Sequence, residues 1–267
     1  MNIKNLFPLS VKVRYRTVGK YLRFIVRKII HTRVKKTILG KGNSIYYDHS
    51  AILDDVAIII NGNNNIIKIN GECHLRGVIF DIKGNDNQIE IGENCLFDKI
   101  KQIGYGQNEY GMVFNIRGIN HKINIGEKCQ FRRGGTLWFA DSEGSLSIGN
   151  NSTFEEVVIA INEIESEVSI GSDCMLAYDI EIRVGDSHSI LDSETGTRIN
   201  YAQNIKIGDH VWIAPHCVIL KGVEIADHSI VGTGTIVSSS FEEGNVIIAG
   251  NPGKIIKKNI NWNRERL

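Results

Sequence analysis

A strict six-residue repeat runs through residues 205–238 and constrains the fold of this chain more than any other feature. Its aliphatic positions are Ile207, Ile213, Ile219, Ile225, Val231 and Val237. Four residues after each of the first five comes a compact residue: Val211, Cys217, Val223, Ser229 or Thr235. A strand alternates with period two and an amphipathic helix with period 3.6, so neither explains a period of six. Repeats this short are typical of parallel β-helices, in which each coil turns three corners around a narrow core.

The same sequence motif, an aliphatic residue followed four residues later by a compact one, recurs upstream at wider intervals. An isoleucine at 69, 91, 125, 148 or 170 is followed four residues later by Cys73, Cys95, Cys129, Ser152 or Cys174. A coil of only three hexapeptides is shorter than any of these intervals, so the upstream coils are expected to carry small insertions at their corners. We predict one solenoid domain over residues 45–250, a basic arm over residues 1–44 and a C-terminal tail over residues 251–267.

The charge of the chain is unevenly distributed. Residues 1–47 contain 12 Lys and Arg and no acid, which leaves 19 basic against 30 acidic residues, or −11, for the remainder. An amphipathic helix is predicted from about residue 18 to 36, with Leu22, Ile25 and Ile29 on one face. Charges interrupt every apolar run, so neither a signal peptide nor a membrane span is expected. Two alternatives stay open: the arm lies on anionic lipid at the cytoplasmic face, or it caps the solenoid or an oligomer contact.

All five cysteines occupy the same inward position of the repeat. None shows the Cys-x-x-Cys spacing of a zinc or redox site. We predict buried, unpaired thiols that act as small hydrophobes in a cytoplasmic protein.

Three histidines fall at outward corner positions. His210 and His228 are three repeats apart and should stack on one corner, and His216 occupies a similar position. A solvated polar corner and a metal site are the alternatives for them.

His188 lies off the repeat lattice. No inward positions can be assigned from residue 185 to 204, and a polar loop that interrupts a regular solenoid is more often functional than structural. Asp186 and Asp192 lie near His188 in the sequence. A neutral imidazole oriented by a carboxylate can remove the proton of a hydroxyl group near neutral pH. From the residues alone, a loop histidine without a catalytic role is the alternative.

Four segments together resemble a known family. The stretches 207–215, 223–235 and 249–256, with 185–190 before them, resemble the hexapeptide-repeat acyltransferases, most closely the galactoside, maltose and capsular polysaccharide O-acetyltransferases. The resemblance covers residues 170–256. It implies an all-β fold, a left-handed parallel β-helix, assembled as a homotrimer with active sites between neighbours.

The resemblance also implies roles for individual residues. His188 is expected to be the general base for direct attack of a sugar hydroxyl on the acetyl-CoA thioester, with Asp186 orienting the imidazole and Trp212 bordering the thioester. The residues expected to bind the cosubstrate are Ala214, Pro215, Thr233, Ser238, Ser239, Lys254 and Lys257. Ser187, Asp192 and Arg198 are expected to contact the acceptor, and no metal is expected.

The predicted function is acetyl transfer to a hydroxyl of a surface polysaccharide or its precursor. The alternatives are transfer to the amine of an amino sugar, and a metal-dependent or non-catalytic solenoid. Nucleic-acid binding is not supported, because the basic arm lacks interleaved aromatics and the body is acidic. By residue type alone, the 131–135 segment, Trp138 and Tyr178 are candidate sugar contacts.

Overall fold

Three parallel β-sheets form the walls of a solenoid. The computed structural model describes residues 33–99 and 111–267. Each coil before β25 contributes one strand to sheet A, then one to sheet B, then one to sheet C. Sheet A contains β1 (Val34–Leu39), β4 (Val56–Asn61), β7 (Ile79–Asn85), β10 (Met112–Ile119), β13 (Gly135–Phe139), β16 (Val157–Ile161), β19 (Ile180–Arg183), β22 (Val218–Ile219) and β25 (Ile236–Val237).

The other two walls follow the same order along the chain. Sheet B contains β2 (Ser44–Tyr47), β5 (Ile66–Ile69), β8 (Gln88–Ile91), β11 (Lys122–Ile125), β14 (Ser145–Ile148), β17 (Glu167–Ile170), β20 (Ile205–Ile207) and β23 (Glu224–Ile225). Sheet C contains β3 (Ile52–Asp54), β6 (His74–Arg76), β9 (Leu96–Phe97), β12 (Gln130–Phe131), β15 (Thr153–Phe154), β18 (Met175–Leu176), β21 (Trp212–Ile213), β24 (Ile230–Val231), β26 (Val246–Ala249) and β27 (Lys254–Lys258). We call the turns between successive sheets the AB, BC and CA corners.

The inward positions of the repeat form the core. Every repeat aliphatic from Ile207 to Val237 is at most 2% exposed, and every compact residue from Val211 to Thr235 is at most 1% exposed. Equivalent positions stack in register, as Ile170 does on Ile207 and Ile213 on Val231. The predicted all-β, parallel β-helix is therefore confirmed.

The cysteines line one column of this core. All five are buried and free. The Cys95 Sγ donates to the carbonyl of Gly126 in the next coil at 3.1 Å, and Ser152 Oγ does the same to Gly171 at 2.9 Å. Burial raises the pKa of the Cys174 thiol to about 11, so this thiol stays protonated. The prediction of buried, unpaired thiols is confirmed.

The solenoid begins earlier than predicted. β1 pairs with β4 from Val34 onward, so the expected boundary at residue 45 is wrong, and residues 34–36 are strand rather than the end of a helix. The rest of the predicted helix and its membrane or capping role fall in residues 1–32, outside the described part. Within residues 33–99 and 111–267, no helix is both long and apolar enough to cross a membrane.

The predicted C-terminal tail begins as a strand. β27 runs antiparallel to β26, with Ala249 opposite Lys254, and forms the last strand of sheet C. An antiparallel strand ends the parallel stacking, so it covers an edge that would otherwise be free to pair with another chain.

The extra residues of the upstream coils lie mostly in sheet A. Ala57 pairs with Ile79, whereas Trp212 pairs with Ile230, so the early coil is longer than the late one. Sheet A strands reach eight residues at β10 and shorten to two at β22. The prediction of small insertions at corners is thus only partly right, because most upstream coils lengthen one wall as well as its following turn.

A buried asparagine ladder follows the AB corner of the upstream coils. Asn87 Nδ2 donates to Asn65 Oδ1 at 2.9 Å, and the backbone N–H of His121 donates to Asn87 Oδ1 at 2.9 Å. His121 is fully buried, and its Nδ1 accepts from the backbone N–H of Gly144 at 3.0 Å. This bond requires an unprotonated Nδ1, and burial lowers the pKa of His121. The folded protein therefore holds His121 neutral.

Stability is expected to fall as the pH drops below the ordinary histidine value of 6.5. Below that value His121 is protonated in the unfolded chain, whereas in the folded protein it stays neutral until the pH reaches its lowered pKa. The free energy of unfolding therefore decreases as the pH falls through this range. Urea unfolding at pH values above and below 6.5 measures the effect. His121→Asn continues the ladder with a side chain that does not titrate, and it should flatten the pH dependence. An unchanged slope in that variant would contradict the assignment.

Candidate active site

The polar loop lies at the AB corner between β19 and β20. It forms a short hairpin in which Leu191 and Arg198 make an antiparallel bridge. The Asp192 carboxylate accepts hydrogen bonds from the backbone N–H groups of Glu194 and Thr195 at 3.0 and 2.8 Å. Asp192, predicted to contact the acceptor, therefore stabilises the turn of its own hairpin.

His188 is exposed at the base of this hairpin. Its backbone carbonyl accepts a hydrogen bond from Asn200 Nδ2 at 2.7 Å. The Oδ1 of the same asparagine accepts from the backbone N–H of Ile190 at 2.7 Å. Asn200 is only 6% exposed, so a buried amide holds the main chain on both sides of His188. Among the described residues the imidazole makes no hydrogen bond, which leaves both ring nitrogens available to a substrate. Ser187 precedes it in the left-handed region, with φ 65°.

Asp186 is engaged elsewhere than predicted. Its Oδ2 accepts from Lys221 Nζ at 2.5 Å and from Asn200 Nδ2 at 2.8 Å. The hydrogen bond of Lys221, followed by that of Asn200, lowers the pKa of the carboxyl group. The expected contact with the His188 imidazole is not present in the described residues; Asp186 and the His188 carbonyl instead share the Asn200 amide as a hydrogen-bond donor.

Arg198 anchors the returning arm of the loop. Its guanidinium forms an ion pair with Glu163 of the preceding coil, and its Nε lies 3.2 Å from Asn200 Oδ1. It also lies over the Tyr201 ring, 4.9 Å from the centroid. Arg198, Glu163 and Tyr201 line a polar cleft of about 690 Å³ that also borders Asp141. The predicted acceptor contact is therefore a structural ion pair at the wall of a cleft.

The residues predicted to hold the cosubstrate fall at several places. Ala214, Pro215 and Thr233 share the CA corner, where the backbone N–H of Gly234 donates to the Pro215 carbonyl at 2.9 Å. Trp212 lies beside them on the outer face of sheet C and is half-buried. Across sheet A, on the AB side, lie Ser238 and Ser239, both exposed.

The two predicted phosphate-binding lysines lie on β27. Lys254 and Lys257 are exposed, and in the described part of the chain neither pairs with a carboxylate. Unpaired ammonium groups on a strand edge are free to bind an anionic group.

The repeat and the architecture have counterparts among known proteins. The pattern described as "Bacterial transferase hexapeptide (six repeats)" matches residues 204–239. The polysialic acid O-acetyltransferase of Neisseria meningitidis is 37% identical over 124 residues, which cover 46% of this chain and 57% of that protein. The crystal structure of the polysialic acid O-acetyltransferase OatWY matches with a TM-score of 0.56 at 29% identity, covering 87% of this chain and 92% of that chain. The chain is thus similar in its repeat and in its architecture to hexapeptide-repeat transferases.

A second relative is matched over a shorter stretch. The polysialic acid O-acetyltransferase of Escherichia coli O1:K1 is 39% identical over 97 residues, which cover 36% of this chain and 31% of that protein. The chain thus spans less than two thirds of the length of either curated relative. Each of the two matched stretches also covers less than half of this chain.

The corner histidines of the chain are arranged largely as predicted. His210 and His228 share the BC corner with ring centroids 5.3 Å apart. His210 is half-buried rather than solvated, because the Trp262 indole stacks on it at 4.1 Å and donates Nε1–H to its carbonyl at 2.7 Å. The described residues contain no group of three or more side chains that could hold a metal ion.

Several residues of the site carry no sequence signal. Asn200 and Lys221 look like ordinary polar residues of a loop and a corner, and Glu163 lies 35 residues before Arg198. Their importance arises because insertions of different length bring distant coils into contact. Only the polar character of the 185–204 loop could have directed attention to Asn200.

Proposed function

We propose that this chain transfers the acetyl group of acetyl-CoA to a hydroxyl of an acidic polysaccharide, with His188 as the general base. The observation that carries the proposal is the exposed imidazole of His188, whose main chain is fixed on both sides by the buried Asn200. The names of the relatives support a polysialic acid-like acceptor. The loop resembles the segment that holds the catalytic histidine in sugar O-acetyltransferases.

The proposed reaction needs no covalent enzyme intermediate. The imidazole of His188 takes the proton of the sugar hydroxyl as the oxygen attacks the thioester carbonyl carbon. The tetrahedral intermediate collapses with cleavage of the carbon–sulfur bond, and the imidazolium returns the proton to the leaving thiolate. The developing oxyanion needs a hydrogen-bond donor. The indole N–H of Trp212 makes no hydrogen bond in the described residues and is a candidate for that role.

The proposed cosubstrate path runs along the CA corner. Ala214, Pro215 and Thr233 present short side chains there, so the backbone of the corner is open to the amides of a pantetheine chain. Pro215 has no N–H and can offer only its carbonyl, which already accepts from Gly234. Ser238 and Ser239 lie across sheet A, and Lys254 and Lys257 supply positive charge for the phosphates of CoA.

A homotrimer is proposed because one protomer separates the two halves of the site. His188 lies at the AB corner, whereas Trp212 and Thr233 lie at or beside the CA corner, at the opposite edge of sheet A. The outer face of sheet A presents apolar side chains such as Val158, which is 39% exposed. Sheet B instead presents charged pairs such as Lys68 with Glu90. If sheet A faces a three-fold axis, the AB corner of one protomer meets the CA corner of the next.

Mixed assemblies test both the reaction and its location. Wild-type protein should convert acetyl-CoA and oligosialic acid into a hydroxylamine-labile O-acetyl ester. His188→Asn removes the base, and Thr233→Trp fills the cosubstrate path at the other edge, so each variant alone should be inactive. Co-expression should restore activity, because a neighbouring pair can combine an intact His188 with an intact Thr233. Mixed assemblies no more active than the separate variants would refute a shared site, and an amide product would favour amine transfer.

A further inference from the structure

A basic and aromatic cluster occupies the CA corner beside the proposed cosubstrate path. The Arg133 guanidinium lies over the Tyr178 ring at 5.3 Å from its centroid, and the His216 ring meets the Tyr178 edge at 5.0 Å. His216 follows Pro215 directly in the sequence. Tyr178 is 38% exposed and the His216 side chain is 51% exposed. The cluster is therefore open to a ligand and adjoins the corner where acetyl transfer is proposed.

The positive charge of Arg133 is not paired with a carboxylate of the described residues. In the described part of the chain, Arg133 makes no ion pair, and its guanidinium contacts the face of Tyr178. His216 Nδ1 lies 2.6 Å from Asp179 Oδ2, which fixes a proton on that nitrogen, while Nε2 makes no hydrogen bond among the described residues. A guanidinium and an outward ring nitrogen thus flank one exposed aromatic ring.

Two glycines follow Arg133 in a tight turn at the CA corner. Gly134 and Gly135 follow it with φ of 87° and 134°, in the region that favours glycine. A Cβ on Gly135 would lie 2.0 Å from the Val157 carbonyl oxygen of the next coil. The corner therefore accepts only glycine at this point, and Arg133, which is half-buried, directly precedes this tight turn.

We propose that Arg133, Tyr178 and His216 form a subsite for a carboxylate-bearing saccharide. Arg133 binds the carboxylate through charge-assisted hydrogen bonds, the ring of Tyr178 packs against the sugar, and His216 Nε2 accepts a hydrogen bond from a sugar hydroxyl. The inference rests on the proposed function, because it places the acidic acceptor next to the transferred acetyl group. In the proposed trimer the His188 loop of a neighbour approaches this same corner, so the acceptor would lie between the two.

Binding of a charged and an uncharged acceptor tests the subsite. Calorimetry with CoA present compares oligosialic acid with the same oligomer after reduction of its carboxyl groups. Arg133→Gln is expected to weaken binding of oligosialic acid by about tenfold, since one charge-assisted hydrogen-bonding group is lost. Binding of the reduced oligomer should not change. Arg76→Gln, an exposed arginine on sheet C, is the matched control and should bind both oligomers as the wild type does.

The outcomes separate this inference from the proposed function. Equal weakening for both oligomers, no weakening at all, or a wild type that does not bind oligosialic acid would overturn the subsite. A smaller assembly of Arg133→Gln by light scattering would also overturn it, because the cluster would then contact a second copy of the chain. If wild type binds oligosialic acid with the expected dependence on Arg133 but forms no ester, the subsite stands and the proposed function fails.

Discussion

Replacing His188 with asparagine is expected to lower kcat for acetyl transfer by about 10²–10⁴-fold, the usual contribution of a positioned general base. Asparagine keeps the polarity and approximate reach of the side chain but cannot take a proton from a sugar hydroxyl. Asn200 holds this residue through hydrogen bonds to the His188 carbonyl and to the backbone N–H of Ile190. These bonds do not depend on the imidazole. The affinity for CoA should be unchanged, because the proposed cosubstrate residues Ala214, Pro215 and Thr233 lie at the other edge of sheet A. Steady-state rates and CoA titrations measure both quantities.

The controls for this result separate base catalysis from folding. His49→Asn alters a histidine whose side chain is 88% exposed in an early coil, and its activity should match that of the wild type. His188→Gly should regain part of its turnover when imidazole is added, because a free base can occupy the vacated space. Wild-type turnover in His188→Asn would refute the assignment of this residue as the base.

The sequence predicted the core well because inward positions are set by local spacing. Each buried aliphatic from Ile207 to Val237 is followed at a fixed distance by a residue that fits the coil interior, and neither position depends on a distant partner. The first coil was missed for a related reason. β1 carries Lys35 and Lys36, and five of its six residues are exposed, because no described coil lies below it. A terminal coil need not show the pattern that burial imposes on its neighbours.

The candidate site was predicted less completely because its contacts join distant coils. Lys221 lies 35 residues after Asp186, and the same separation joins Arg198 to Glu163. The number of residues per coil varies along the chain. In sheet B, many residues separate the stacked positions Ile170 and Ile207, and fewer separate Ile207 and Ile225. The separation of 35 residues is therefore not a period of the repeat, and the sequence alone does not pair these residues. The sequence identified His188 as a candidate base from its residue type and its loop. Only the structure shows that Asn200 holds the backbone of His188 in place.

The aromatic column of the core should be the most sensitive part of the fold. Phe131 is fully buried between Phe97, with ring centroids 4.6 Å apart, and Phe154, at 4.5 Å. Phe131→Ala is expected to lower the free energy of unfolding by about 3–5 kcal/mol, because it removes a large apolar side chain and leaves a cavity between two rings. Urea unfolding at a fixed protein concentration measures the loss, since any assembly makes stability depend on concentration.

The same variant should show where the stability is lost. Each coil of a solenoid contacts only its neighbours, so faster amide exchange is expected in the coils that contain Phe97 and Phe154, with little change near Val237. Phe131→Leu fills most of the space and should cost much less, which separates the cavity from any effect of the Arg132 and Arg133 corner that follows. Uniform acceleration of exchange along the whole chain would show that the solenoid unfolds as one unit and would contradict this expectation.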